Sequence, residues 1–174
     1  TNTIVSYTGV VTVDAAYIGG AYIPKHEQVI FCPRSVGSTW HYIDSVGTVQ
    51  SYSGLLGTIS RGGSVYSPTE ERVYFDNSTG GTSNWFYVDV SISTPFSGQL
   101  TSIDTLDVIA YSGAVYDPIN NRILFVPQGQ SNFPNWHYID CTDSNPSTLA
   151  NSYTHSPSVS ITGNYRMGVY SPNQ

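Results

Sequence analysis

The segment GAYIP at residues 20–24 is the strongest indication of the fold, because its pattern returns three more times along the chain. The equivalent tyrosines are spaced 44, 50 and 54 residues apart. A recurrence of this length indicates one supersecondary unit that is repeated, and it has to be explained before any local feature. The later copies are SVYSP at 64–68, AVYDP at 114–118 and GVYSP at 168–172.

Each of the first three copies is followed by further candidate strands. A short apolar run opens five residues after the proline, and an aromatic run follows after a polar loop. A less regular fourth run follows, such as the one at 48–52. Tyr, Val, Ile, Phe and Trp favour strands, so each repeat predicts four short strands. The apolar runs are 29–31, 73–75 and 123–125, and the aromatic runs are 40–44, 85–89 and 136–140.

Two kinds of turn are predicted inside each repeat. Pro24, Pro68 and Pro118 end the first strand, because proline cannot donate a hydrogen bond to the ladder. A tight hairpin should then lead into the second strand. An aspartate closes each third strand, where its carboxylate can accept from backbone N–H groups just beyond it. These aspartates are Asp44, Asp89 and Asp140.

The composition agrees with an all-β chain and excludes several functions. There are 14 Tyr, 16 Gly and 10 Pro, and only 10% of the residues are charged. The net charge of −6 comes without any basic cluster, which argues against binding to nucleic acid. No apolar run approaches the roughly 18 residues that a membrane-spanning helix needs. We therefore expect neither a nucleic-acid partner nor membrane insertion.

Four short strands in every 40 to 50 or so residues match the blade period of β-propellers. With its proline-ended first strand and its W-H-Y-I-D run, the chain resembles a kelch-like propeller repeat, of the kind found in phage virion and tail-fibre proteins and in bacterial surface proteins. The kelch Gly-Gly doublet follows a strand, whereas Gly19-Gly20 and Gly62-Gly63 are expected here before the first strand. The signature of WD40 repeats is also missing. The fold expected is an all-β propeller segment of four-stranded antiparallel blades.

The repeat register divides the chain into blades. Three complete blades are predicted at 19–61, 62–111 and 112–165, with the end of a preceding blade at 1–18 and the start of a further one at 166–174. Three blades are too few for a ring, since propellers usually have four to eight. We expect these residues to belong to a longer chain; the alternative is that another copy or another protein completes the end blades.

The chemically reactive residues favour structural roles. His41 and His137 hold equivalent positions, but the same position in the middle repeat is Phe86, which indicates packing. The acidic residues Glu70 and Glu71 are expected to be solvated in a turn, as is Asp76. Neither zinc-ligand spacing nor a nucleophile motif is present, so we expect no cofactor, no bound metal and no catalytic residue. Cys32 and Cys141 are interpreted as a buried and an incidental thiol, with a disulfide as the alternative.

The loops between second and third strands carry the candidate contact residues. They are rich in Gly, Ser, Asn and Gln, follow equivalent strands, and each ends against a tryptophan. Aromatic side chains flanked by amides suit sugar or protein recognition. The competing interpretation places the tryptophans in the core between blades. The candidate contact residues are Trp40, Trp85, Trp136, Asn84 and Asn135.

These features predict a structural or receptor-binding module of an extracellular assembly, a phage virion or tail-fibre component in the first place. Its partners would be other protein subunits, and its location extracellular or in a virion. Three alternatives remain open: a carbohydrate-binding or adhesin propeller that recognises cell-surface glycans, a propeller glycosidase or lactonase, and an intracellular adaptor of kelch type. A fold of this kind hosts many unrelated functions, so the geometry and chemistry of the site are needed to distinguish among them.

Overall fold

The computed structural model describes residues 17–33, 40–52, 63–75, 84–91, 96–101, 110–128, 135–142, 151–154 and 168–171. In these ranges the chain forms short strands, with one 3-10 turn at Pro24–His26. The strands are β1 (Tyr17–Ile23), β2 (Gln28–Pro33), β3 (Trp40–Ile43), β4 (Val49–Tyr52), β5 (Ser64–Ser67), β6 (Arg72–Phe75), β7 (Asn84–Asp89), β8 (Phe96–Thr101), β9 (Ala110–Asp117), β10 (Arg122–Gln128), β11 (Asn135–Asp140) and β12 (Asn151–Thr154).

The strands form three four-stranded antiparallel sheets, each in simple sequence order. We call β1–β4, β5–β8 and β9–β12 the first, second and third blades. The predicted all-β propeller segment of four-stranded antiparallel blades is confirmed. Of the half blades predicted at the two ends, residues 1–16 and 172–174 lie outside the described residues.

The hairpins between first and second strands form as the prolines predict. The strands β1, β5 and β9 end immediately before Pro24, Pro68 and Pro118. Three residues after each proline the backbone turns left-handed, with φ between 49° and 53°. This conformation reverses the chain within a four-residue turn, although residues other than glycine rarely adopt it. The left-handed residues are Glu27, Glu71 and Asn121.

The glycine doublet of the first blade corrects one expectation. Gly19 and Gly20 do not precede β1 but belong to it, paired with Cys32 and Phe31 of β2. A Cβ atom on Gly20 would lie 3.1 Å from the carbonyl oxygen of Ile30. Glycine therefore lets the two backbones approach closely at this point of the strand.

The blades pack face to face, with their first strands adjacent, so that β1 contacts β5 and β5 contacts β9. We call the side of a blade that faces the next blade its following face, and the other side its preceding face. One hydrophobic layer joins the first and second blades, and another joins the second and third. The first layer contains Ala21, Ile23, Ile30, Trp40, Val73, Phe75, Val88 and Val90. The second contains Tyr74, Ile123, Phe125, Ile139 and Cys141, with Val65, Tyr87, Ala114 and Tyr116 packed against it.

Candidate functional site

Trp40 lies in the core between the first two blades. Only 6% of its surface is exposed, and its ring meets Phe75 of the second blade edge to face, with the centroids 4.8 Å apart. This is a preferred geometry for an aromatic pair. The structure thus gives Trp40 a packing role, as the competing interpretation of the tryptophans expected.

The other candidate contact residues are placed through the backbone. Trp85 pairs with Leu100, and Trp136 pairs with Tyr153. Asn84 and Asn135 begin their strands. We call this end of the blades, where β3, β7 and β11 begin, the loop edge, and the opposite end the turn edge. The side chains of Trp85, Trp136, Asn84 and Asn135 lie outside the described part of the structure.

Aspartates at the turn edge form the predicted turns. Asp44 Oδ1 accepts from the backbone N–H groups of Val46, at 3.1 Å, and Thr48, at 2.8 Å. Asp89 accepts in the same way from Ser91, at 3.0 Å, and Asp140 accepts from Thr142, at 2.9 Å. Hydrogen bonds to the charged form lower an acid's pKa. The Thr48 bond does so for the pKa of Asp44, and the Thr142 hydroxyl does so for the pKa of Asp140.

Side chains of the first–second hairpins connect neighbouring blades. Lys25 Nζ lies 2.8 Å from both carboxylate oxygens of Glu71 in the second blade and donates to the carbonyl of Ser91 at 3.1 Å. Thr69 repeats the contact one blade further, donating to Asn121 Oδ1 at 2.8 Å. In both contacts, the residue after the proline of one blade reaches the left-handed residue of the next.

A buried polar cluster surrounds Glu70, between the second and third blades. The Glu70 side chain is only 3% exposed, which corrects the expectation of a solvated turn residue. Tyr74 donates its hydroxyl to Glu70 Oε2 at 2.6 Å, and Arg72 Nη1 lies 3.6 Å from Glu70 Oε1. Arg72 also stacks over the ring of Tyr87, 4.5 Å from its centroid. The sequence offers one signal, namely that Glu70 stands where the neighbouring repeats have His26 and Asn120.

Cys141 of the third blade belongs to the same cluster, since its thiol interacts with Glu70. It is a free thiol with 1% exposure, so the residue interpreted as an incidental thiol is a core residue, and it forms no disulfide. Burial raises the pKa of the Cys141 thiol to about 12. A thiol must be deprotonated and accessible to attack a substrate, so this one acts as a core residue. The Glu70 cluster thus joins two blades and has no accessible nucleophile.

His41 takes part in a second polar contact, on the preceding face of the first blade. Its Nδ1 lies 2.6 Å from the hydroxyl of Tyr17, and the two rings meet edge to face. Tyr17 also contacts Phe31, with ring centroids 5.2 Å apart. His41 therefore helps to pack an aromatic group, as the equivalence with Phe86 indicated.

The described ranges contain no group of three or more His, Cys, Asp or Glu side chains that could hold a metal ion. Nor does any helix within them have the length and apolarity to cross a membrane.

Comparison with known proteins shows the fold and nothing finer. No family model matches the chain, and no curated protein sequence matches it. Hydrazine synthase of Kuenenia stuttgartiensis is similar in structure, with a TM-score of 0.62 and 14% identity over 95% of this chain and 42% of that one. Selenomethionine-substituted virginiamycin B lyase from Staphylococcus aureus has a TM-score of 0.57 and 13% identity over 84% of this chain and 43% of that one.

Both of these structures are β-propellers. The chain spans less than half the length of each. Its three blades are not closed into a ring. On this structural likeness, the chain is an open run of β-propeller blades.

Proposed function

We propose that the chain is a non-enzymatic binding module, a structural or receptor-contacting part of an extracellular assembly of the kind built into phage tail fibres and other virion proteins. The observation that carries this proposal is the pairing of the charged side chains with one another. Among the described residues, each Lys and Arg side chain pairs with a carboxylate, within a blade or across two blades. The pairs are Lys25–Glu71, Arg72–Glu70, Arg72–Asp89 and Arg122–Asp117.

Several carboxylates of the turn edge also have structural partners. Asp44, Asp89 and Asp140 hold turns, and Glu70 is enclosed between blades. A catalytic carboxylate instead needs access to substrate and a pKa suited to proton transfer. The paired charges of the turn edge therefore favour a structural role for that edge. We place recognition at the loop edge, since binding residues are most often carried by loops on a rigid frame.

The experiment compares the two edges. Fluorescently labelled protein is titrated onto bacterial cells, onto the same cells after enzymatic removal of surface glycans, and onto a glycan panel. The test variant is Asn84→Ala with Asn135→Ala at the loop edge. The control is Val46→Ala, an 82% exposed residue at the turn edge. We expect the test variant to weaken binding by about tenfold or more at an unchanged melting temperature, and the control to bind as the wild type does.

The outcomes separate the candidate functions. Binding that survives removal of glycans supports a protein receptor, whereas binding lost with the glycans supports the carbohydrate-binding alternative. Saturable turnover of a glycoside or lactone substrate would contradict a non-enzymatic role. Equal loss of binding in both variants would contradict recognition at the loop edge.

A further inference from the structure

Three side chains of the second blade each bury a polar atom that has no hydrogen-bond partner among the described residues. The atoms are Ser67 Oγ, Glu70 Oε1 and Arg72 Nε. Ser67 is 0% exposed, and the side chains of Glu70 and Arg72 are 3% and 13% exposed. A buried polar group without a partner is unfavourable, and most such groups in folded proteins are hydrogen-bonded to protein or to ordered water. These three atoms therefore need a further partner.

The three atoms lie close to one another, at the boundary with the third blade. Ser67 and Arg72 are partners in register on β5 and β6. The Cys141 thiol of the third blade interacts with both Ser67 and Glu70. Arg72 Nη1 lies 3.6 Å from Glu70 Oε1, and Arg72 Nε lies 3.8 Å from Asp89 Oδ2. These separations are too long for direct hydrogen bonds and are compatible with a water molecule that contacts both groups.

The neighbouring side chains have other hydrogen bonds. Tyr74, which is larger than the equivalent Ile30 of the first blade, donates its hydroxyl to the other oxygen of Glu70, Oε2, at 2.6 Å. The Cys141 thiol donates to a backbone carbonyl 3.8 Å away, and sulfur is only a weak hydrogen-bond partner. The Oε1 side of Glu70 therefore keeps unused hydrogen-bonding capacity.

At the equivalent place, the boundary between the first and second blades is apolar. Ile23 holds the repeat position of Ser67, and Val90 holds that of Cys141. Both Ile23 and Val90 are 0% exposed and pack in the first hydrophobic layer. Apolar side chains need no hydrogen-bond partner, and Ile and Val are also larger than Ser and Cys. The second boundary thus has polar and smaller side chains at this place, which favours a small polar ligand.

We propose that a water molecule binds inside the Glu70 cluster, between the second and third blades, and bridges Glu70 Oε1, Arg72 Nε and Ser67 Oγ. Water can accept the N–H of Arg72 while it donates to the two oxygen atoms, and buried waters typically make about three hydrogen bonds of this kind. A cation would be repelled by the guanidinium, and an anion by the carboxylate. The three groups therefore fit a neutral ligand that both donates and accepts. The proposal does not depend on what the loop edge recognises.

A high-resolution crystal structure of the wild-type chain tests the site directly. We expect one density peak of a water molecule, about 2.7–3.2 Å from both Glu70 Oε1 and Arg72 Nε. A direct hydrogen bond between Arg72 and Glu70 Oε1, with no density peak beside it, would overturn the proposal. A side chain from elsewhere in the chain at this place, or a peak with the anomalous signal of an ion, would overturn it as well.

Oxygen-17 relaxation dispersion of the solvent tests the site in solution, because its amplitude measures internal waters of long residence. Ser67→Val gives this position an apolar side chain, as Ile23 does at the first boundary, and removes one partner of the water. We expect the amplitude to fall by the contribution of about one water molecule. Ser67→Thr keeps the hydroxyl and should keep the amplitude, and so should the matched control Ile23→Val in the first hydrophobic layer.

Circular dichroism verifies that each variant is folded. An unchanged amplitude in Ser67→Val would overturn the proposal, and so would an equal fall in Ile23→Val, since the change would then reflect altered packing at either boundary. If Ser67→Val fails to fold, the wild-type crystal structure alone decides.

Discussion

Lys25 of the first blade and Glu71 of the second form an ion pair across the blade boundary, with Nζ 2.8 Å from each carboxylate oxygen. Thr69 and Asn121 hold the same two repeat positions one blade further and are joined by a 2.8 Å hydrogen bond. The same contact between blades is therefore made by an ion pair at one boundary and by a neutral hydrogen bond at the other. What the repeat maintains is a contact between the residue after proline and the left-handed residue of the next blade.

The Lys25–Glu71 pair should contribute little free energy and should respond to salt. Its side chains are 45% and 32% exposed, and an ion pair of this kind typically contributes about 0.5 kcal/mol. We expect Lys25→Met to lower the free energy of unfolding in urea by about that amount, with the loss shrinking in high salt because exposed charges are screened. A double-mutant cycle with Glu71→Gln isolates the coupling, and a coupling energy independent of salt would contradict this account.

Glu70 and Glu71 are adjacent in sequence but should differ strongly in substitution. Glu70→Gln removes a charge that is enclosed with Arg72 and Tyr74, so we expect a loss of about 1–3 kcal/mol in unfolding free energy. Glu71→Gln changes a partly exposed group and should cost about 0.5 kcal/mol. Urea denaturation of the two variants side by side measures the difference, and equal losses would show that Glu70 is solvated after all.

Trp40 should behave as a core residue. Trp40→Ala removes a ring that is 6% exposed and packed on Phe75. Truncation of a buried Trp costs about 3–5 kcal/mol, so the melting temperature should fall sharply. Val46→Ala, at an 82% exposed position, should change the unfolding free energy by no more than about 0.5 kcal/mol. A folded Trp40→Ala protein with wild-type stability and weakened ligand binding would instead make Trp40 a contact residue.

Acid should weaken the fold through Asp117. Burial alone would raise the pKa of this carboxyl, but hydrogen bonds from Asn120 and Ile119, together with Arg122, outweigh it and hold the pKa below its ordinary value. A group whose pKa is lower in the folded state stabilises the fold above the unfolded-state value of about 3.9, and this contribution is lost as the pH falls through the folded-state value.

We therefore expect Asp117→Asn to be less stable than the wild type at neutral pH, and the gap to narrow below about pH 3.9. Thermal unfolding of both proteins from neutral pH down to pH 2 measures this gap. If the gap stays constant over that range, the lowered pKa of Asp117 contributes nothing to acid sensitivity.

Local patterns were sufficient for much of the blade. The prolines at 24, 68 and 118 end the first strands, and the closing aspartates form turns, because both effects depend on a few adjacent residues. The expectation that Gly19 and Gly20 precede the first strand was wrong. A glycine pair is compatible with either a loop or a close backbone pairing, and only the partner strand distinguishes the two.

The environment of the candidate sites could not be derived in this way. Glu70 looks like its neighbour Glu71 in sequence, yet its side chain is only 3% exposed and interacts with Cys141 of the third blade. Cys141 follows a strand in a polar context, yet it packs into the layer beneath Tyr74. Both errors have the same origin: burial at a blade boundary depends on a neighbour roughly 50 to 70 residues away.

The sequence alone predicts the repeat, the number of strands in each blade, the position of the turns and the all-β class, because each of these follows from strand-forming residues, proline and turn chemistry within a short stretch of chain. The folded structure is needed to show which face of each blade is covered, which charges pair across blades, and that Trp40 packs against Phe75. The physical reason is that strand periodicity assigns a side chain to one of two faces. The burial of that face, and with it the energy of every group on it, depends on the neighbouring sheet.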